Sequence, residues 1–349
     1  MTTLPGYHSN RISELMDAPA GHRDADWLKE SLQQALMLEL ATLPPYLCAM
    51  WSIDDQDHDA AAAVRRIVFD EMSHLGLVGN LLTTVGGEPR LADARTVPTY
   101  PGPLPGGVRP GLTVYLSGFS KDSLDLYSRI EAPDDPVAEG QKHTSIGAFY
   151  SAILAAFRDS PELITGHHQL TRNMSHHGQG NDLVAVASLA DVEKVVAVIK
   201  EQGEGTSASP ENPHPGESGE LAHFYVFREL FHGRRLVRTA RNPDRWEFTG
   251  DKIAMPSARP MGTVPAGGWG AVDPETAEPR EAGNRAYSEM LRFLEAAWQA
   301  DLPARAKELL TKAVGRMRFL EGPARTLMER PLPDGSGRTY GPEFRYTPA

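Results

Sequence analysis

Apolar residues recur at helical spacing over several long stretches of the chain. From Asp24 to Leu43, the residues Trp27, Leu28, Leu32, Leu36, Leu40 and Leu43 form one stripe, which predicts a helix that Pro44-Pro45 interrupts or kinks. A second helix is predicted from about Ala60 to Val85, with Val64, Ile67, Val68, Leu75, Val78 and Leu82 as its buried face and Gly86-Gly87 as its stop. The short polar link between them, Asp54 to Asp59, favours an antiparallel pair. Further helices are predicted over Ser145 to Phe157, Asp191 to about Glu204, Ser218 to His232, Glu281 to Trp298 and Pro303 to Leu320.

Two stretches break this rhythm. Glu88 to Pro136 is rich in Pro and Gly, holds one strand-like run from Leu112 to Leu116, and reads as a long insertion. Arg241 to Glu281 has few periodic apolar positions and reads as an extended surface segment, and the tail after Pro331 has no regular pattern. The expected architecture is mainly α: a four-helix bundle over 24–235 with an insertion at about 88–144, then an extended segment and extra helices over 236–349 packed on the bundle. No internal repeat of short period is present.

Composition narrows the function classes. Hydrophobic residues make up 40% and charged residues 23% of 349, the balance of a globular protein. A net charge of -11 opposes binding to a phosphate backbone, so nucleic acid is not an expected partner. There is no apolar run long enough to span a bilayer, and Met1 to Asn10 lacks the layout of a secretion signal, so no membrane partner and a cytoplasmic location are expected. With Cys48 as the single cysteine, any metal must be held by oxygen and nitrogen.

The chemistry concentrates in the helices. Glu71 and His74 stand three residues apart on one helical face, and Glu220 and His223 repeat the spacing. Both pairs run in phase with apolar stripes, as does Glu39 among Leu32, Leu36 and Leu43, so these groups point inward. A buried unpaired carboxylate is costly, and divalent cations are the natural compensation. One Glu from each of two helices plus Glu-x-x-His from the other two is the ligand pattern of ferritin-like di-iron bundles. The fourth carboxylate is expected from the helix before Glu220: Glu204 lies nearer the buried side and is preferred, with Glu201 in reserve. The metal set is then Glu39, Glu71, His74, Glu204, Glu220 and His223. Two imidazoles and four carboxylates suit iron best, with manganese or zinc as alternatives.

Plainer readings compete. A single Glu-x-x-His is as often a surface or salt-bridged pair, and a buried polar network without metal is the main rival to the dimetal reading. His167-His168 and His176-His177 read as surface loop histidines, as does His214 between two prolines. Tyr46, Tyr150 and Tyr225 read as packed tyrosines and Cys48 as a small buried hydrophobe.

The stretches LELATLPPYLCAMWSI (Leu38 to Ile53), DEMSHLGLVGNLL (Asp70 to Leu82), SIGAFY (Ser145 to Tyr150), IKEQGEGT (Ile199 to Thr206) and ELAHFYVFREL (Glu220 to Leu230) carry a family resemblance. From about Leu28 to Arg235 the sequence resembles the ferritin-like domain of iminophenyl-pyruvate dimer synthases of bis-indole pigment biosynthesis and of related stand-alone bacterial proteins. The dimer synthase couples aryl-pyruvate imines and has further regions that this chain lacks. Ala148 stands where the family pattern SIGEFY has Glu, which implies a more open metal site or the recruitment of Glu204. The leading expectation is a non-haem dimetal oxidase or oxygenase acting on a small amino-acid-derived or other specialised-metabolism intermediate, because the long insertions Glu88 to Pro136 and Arg241 to Glu281 can wall a substrate pocket that a metal store would not need. Its expected partners are a small-molecule substrate and dioxygen, and a homodimer and an external electron donor are compatible with the sequence. The alternatives are oxidative coupling of aryl-pyruvate imines, iron storage, and a metal-free binding protein.

Overall fold

A computed structural model describes residues 7–133, 146–174, 183–204, 209–211, 220–239 and 242–348, with the backbone alone described at 204 and 242–244. After a short helix α1 (Arg11–Met16), helix α2 (Ala25–Ser52) opens on Asp24, whose carboxylate accepts from the amides of Asp26 and Trp27. Of the interruption or kink expected at Pro44-Pro45, the interruption does not occur: α2 runs through both prolines without ending. A proline at 45 cannot donate to the Ala41 carbonyl, and the Tyr100 hydroxyl donates to that oxygen instead at 2.7 Å. The Tyr127 hydroxyl likewise donates to the Pro45 carbonyl at 2.7 Å.

Helix α3 (Asp59–Thr84) packs along α2 in the expected antiparallel sense, since Thr42 meets Glu71 while Glu39 meets His74. It ends where Gly86 adopts φ 71°, a left-handed conformation that glycine takes without strain. The stretch expected to be irregular then departs from expectation. No strand forms at Leu112 to Leu116, where Val114 makes only an isolated bridge to Gly102. A helix α4 (Lys121–Ile130) follows, begun by a reciprocal capping box between Ser120 and Ser123.

Helices α5 (Ile146–Asp159) and α6 (Leu189–Glu204) lie close to their expected bounds and pack on each other. Helix α7 (His223–His232) starts later than expected. Residues 212–219 lie outside the described residues, Leu221 bridges Glu211, and Ala222 is extended at ψ 156°, so Glu220 is not on a helix. Helix α7 packs on α4, and the rings of Tyr46, Tyr127 and Phe227 gather there with centroids 4.8 to 5.3 Å apart.

A two-stranded antiparallel ribbon, β1 (Val237–Thr239) and β2 (Asn242–Glu247), precedes the C-terminal helices. Helix α8 (Pro274–Trp298) begins earlier than the apolar periodicity suggests, because Asp273 caps it and Pro274 occupies its first turn. Helices α9 (Pro303–Phe319) and α10 (Glu321–Leu327) complete the chain's helical part, α10 being unforeseen. They join the same apolar core, which extends from Tyr7 to Phe344. Buried Asn80 on α3 clamps them: it donates to the carbonyls of Leu170 and Val184 and accepts from the Leu170 amide and the Trp298 indole at 3.1 Å. The mainly helical bundle with insertions and added C-terminal helices matches the architecture expected from the sequence. Among the described residues, no helix is long and apolar enough to cross a membrane.

Candidate metal centre

Glu39 on α2 and Glu71 and His74 on α3 project between the packed helices, and all three are buried. Helix α7 adds His223 from its first position, 2% exposed. A fifth group, Glu131, follows the last residue of α4 and is buried beside them. These side chains form two clusters that share one member: Glu39, Glu71 and His74, and Glu71, Glu131 and His223. Within each, one ligand atom from every residue lies within 4.8 Å of the others, so each cluster could hold a metal ion and Glu71 is placed to bridge both.

The hydrogen bonds fix how each group faces. Nε2 of His74 lies 2.6 Å from the amide oxygen of Gln202, and Nε2 of His223 lies 3.2 Å from a carboxylate oxygen of Asp70. An N–H donated outward to each acceptor leaves Nδ1 of both rings turned toward the carboxylates. Nδ1 of His74 is 3.5 Å from Glu71 and 3.6 Å from Glu39, and Nδ1 of His223 is 3.0 Å from Glu71. On the far sides of the carboxylates, Tyr150 donates to Glu39, Tyr46 donates to Glu131 at 2.5 Å and Thr42 donates to Glu71 at 2.7 Å.

Burial pushes the Glu39 carboxyl up against the opposing pull of His74. It also pushes Glu131 up to about 8, helped by the nearby Glu71 charge. Glu71 goes the other way: burial disfavours its charge, but the close imidazoles of His223 and His74 outweigh burial and hold it below the usual carboxylate range. The rings respond in kind. Burial opposes a proton on His74, yet Glu39 and Glu71 raise it well above the ordinary histidine value. His223 is pushed up to about 9 by Asp70 and Glu71 against the cost of burial.

This donor set fits a metal pair. His223 Nδ1 is buried and 3.0 Å from a Glu71 carboxylate oxygen, yet it makes no well-aligned hydrogen bond. A buried ring nitrogen of this kind beside a carboxylate oxygen is a donor that a cation could take up. Without metal, protons on the rings supply the positive charge, and divalent cations would supply it more fully. The oxygen and imidazole donors suit iron, manganese or zinc. A cavity of about 30 Å³, lined by Glu39, Thr42, Glu71, His74, Glu131 and Tyr150, adjoins the cluster. It is small beside the roughly 300–1,000 Å³ of ordinary small-molecule sites.

The structure brings together Glu39, Glu71, His74 and His223 and leaves Glu220 apart. The Glu220 carboxylate is 41% exposed and pairs with Arg66 at 3.0 Å, because the helix starts at His223 and the three-residue spacing has no helical face to act on. The Glu204 side chain lies outside the described residues, as do His176, His177 and His214. From α6 it is the Gln202 amide that reaches the cluster, while Glu201 is only partly buried and belongs to neither ligand group. Ala148 is partly exposed and off the wall of the small cavity, which α5 lines through Ile146, Gly147 and Tyr150. Tyr46 and Tyr150, assigned no role from sequence, hold two of the carboxylates. Glu131 escaped sequence reasoning within a Pro- and Gly-rich stretch. The signal was present: Ser120 before Leu124, Tyr127 and Glu131 is a capped helix with Glu131 on its inner face.

The solved structure of a ferritin-like protein from Caulobacter vibrioides is similar in fold, with a TM-score of 0.59 at 20% identity, over 92% of this chain and 97% of that one. No curated protein sequence matches the chain. The family model described as Ferritin-like matches residues 32–232, more than half of the chain and the span that contains every member of both clusters. The protein belongs to the ferritin-like family.

Proposed function

We propose that this protein is a non-haem dimetal oxidase or oxygenase that acts on a small, amino-acid-derived intermediate of specialised metabolism. The observation that carries the reading is the pair of buried carboxylate and imidazole clusters sharing Glu71. In this reading Glu39, Glu71 and His74 hold one ion, Glu71, Glu131 and His223 hold the other, and Glu204 at the end of α6 is a further ligand. Iron is the preferred metal, with manganese or zinc as alternatives. The bundle over 24–235 is the catalytic unit, with the helices of 236–349 buttressing it.

When bound, a pair of iron ions would supply redox chemistry with dioxygen. The chain's own residues define the conditions for it. Glu71 spans the two positions and is kept ionised by the flanking rings. Asp70 and Gln202 hold the imidazoles with Nδ1 inward. The hydroxyls of Tyr46, Thr42 and Tyr150 take up the remaining carboxylate oxygens and keep water from them. The apolar core around the cluster lowers the local dielectric, which strengthens each of these contacts.

The deciding experiment loads the purified chain with iron(II) without air, measures metal per chain, and then follows oxygen uptake with and without candidate aryl amino acids and their imines. Two ions per chain and substrate-stimulated uptake with a defined product are expected. Oxidation of many irons per chain, with deposition of mineral, would assign storage instead. Failure to retain any divalent metal would overturn the reading.

A further inference from the structure

On another flank of α3 lies a second and much larger cavity, of about 470 Å³, between α3, the end of α2 and helices α8 and α9. It shares no lining residue with the small cavity at the carboxylates. Glu71 and His74 face one way from α3, while Arg65, Phe69, Met72 and Gly76 share the flank that faces the other. Its size falls within the range of roughly 300–1,000 Å³ common to small-molecule sites.

The lining is apolar and adaptable. Met50, Met72 and Met317 contribute flexible thioether chains, which conform to a long unbranched ligand better than rigid rings do. Trp51 and Trp298, both almost fully buried, close its inner wall. The charged residues of the wall are Arg65, Arg318 and Glu321. Glu321 is paired with Arg325 at 3.6 Å. Arg65 is steadied by the carbonyl and side-chain oxygens of Gln56 at 2.8 and 3.1 Å. Neither Arg65 nor Arg318 has a carboxylate within ion-pair distance among the described residues. The lining thus combines a deep apolar volume with two cationic donors uncommitted to any acid.

We infer that this cavity is a binding site for a long-chain aliphatic carboxylate, its tail among the methionines and leucines and its carboxylate on Arg65 and Arg318. Arginine offers a carboxylate two parallel donors, and the tail gains by leaving water. The site is separate from the metal-centre reading and does not depend on it.

The test uses delipidated full-length protein and dodecanoate, with tryptophan fluorescence and displacement of a fluorescent fatty acid as readouts. Saturable binding is expected, with dodecanol and dodecylamine weaker by about tenfold or more, the scale of one charge-assisted contact. The double variant Arg65→Gln with Arg318→Gln should weaken dodecanoate by a similar factor and leave dodecanol unchanged, and Val314→Trp should block all of them. Circular dichroism and the thermal unfolding midpoint report that each variant is folded. Equal affinity for the acid, the alcohol and the amine, or dodecanoate binding unaffected by both the double variant and Val314→Trp, would overturn the inference.

Discussion

Gln202 presents its amide oxygen to Nε2 of His74 at 2.6 Å, joining α6 to α3 across 128 positions of sequence. The contact sets which ring nitrogen of His74 carries the proton and which faces Glu39 and Glu71. Replacing Gln202 by Leu should therefore leave the helices intact and weaken metal retention by about 10- to 100-fold, the usual effect of removing such a partner. Competition with a chelator of known affinity measures it, and unchanged retention would show that Gln202 does not orient the ring.

Glu131 and Glu220 can be told apart. Glu131→Ala removes a buried carboxylate of one cluster, so iron per chain should fall by about half or more. Glu220→Ala removes a half-exposed partner of Arg66 and should leave metal content unchanged, with stability altered by about 1 kcal/mol at most. Elemental analysis of the two variants beside Glu71→Ala and His223→Ala, which should lose metal outright, decides between the geometric ligand set and the repeated Glu-x-x-His pattern.

Metal binding should strengthen as pH rises from about 6 to 9. Glu131, pushed up to about 8, and His223, pushed up to about 9, both hold protons at neutral pH in the metal-free cluster, and a metal must displace them. Calorimetry in buffers of different ionisation enthalpy should show proton release on loading. The stability of the metal-free protein runs the opposite way. Both groups have folded values above their unfolded ones, near 4.5 for Glu131 and 6.5 for His223. Their stabilising effect is complete below those unfolded values and is lost as pH climbs through about 8 and 9. Thermal melts of chelated protein should fall across this window, and a flat profile would contradict the assignment.

Asn80→Ala tests the attachment of the C-terminal helices. It removes the partner of the Leu170 amide, the Leu170 carbonyl and the Trp298 indole in a buried place, and of the half-buried Val184 carbonyl beside them. A loss on the order of 3–5 kcal/mol is expected from denaturant unfolding, large for one residue because several groups are orphaned together. A loss below about 1 kcal/mol would mean that the clamp contributes little.

Much of this protein is written in local periodicity. The apolar stripes of α2 and α3 predict both helices and set Glu39, Glu71 and His74 among apolar neighbours, but from Ser31 onward α2 is buried on every face, so spacing alone does not single out the side that carries the cluster. Even the pairing of α2 with α3 follows from a short polar link. Local pattern failed where the cause lay far along the chain. The continuity of α2 past Pro44-Pro45 rests on the Tyr100 hydroxyl, which comes from a loop more than fifty residues on. The exclusion of Glu220 rests on where α7 begins, set by a bridge to Glu211 before it. The inclusion of Glu131, Gln202 and Asp70 rests on three-dimensional proximity among α3, α4, α6 and α7. Spacing along a helix decides which residues share a face, because the helix is a rigid short-range object. Which acids share one dry volume is decided by how separate helices pack, and no repeat within any one of them encodes it.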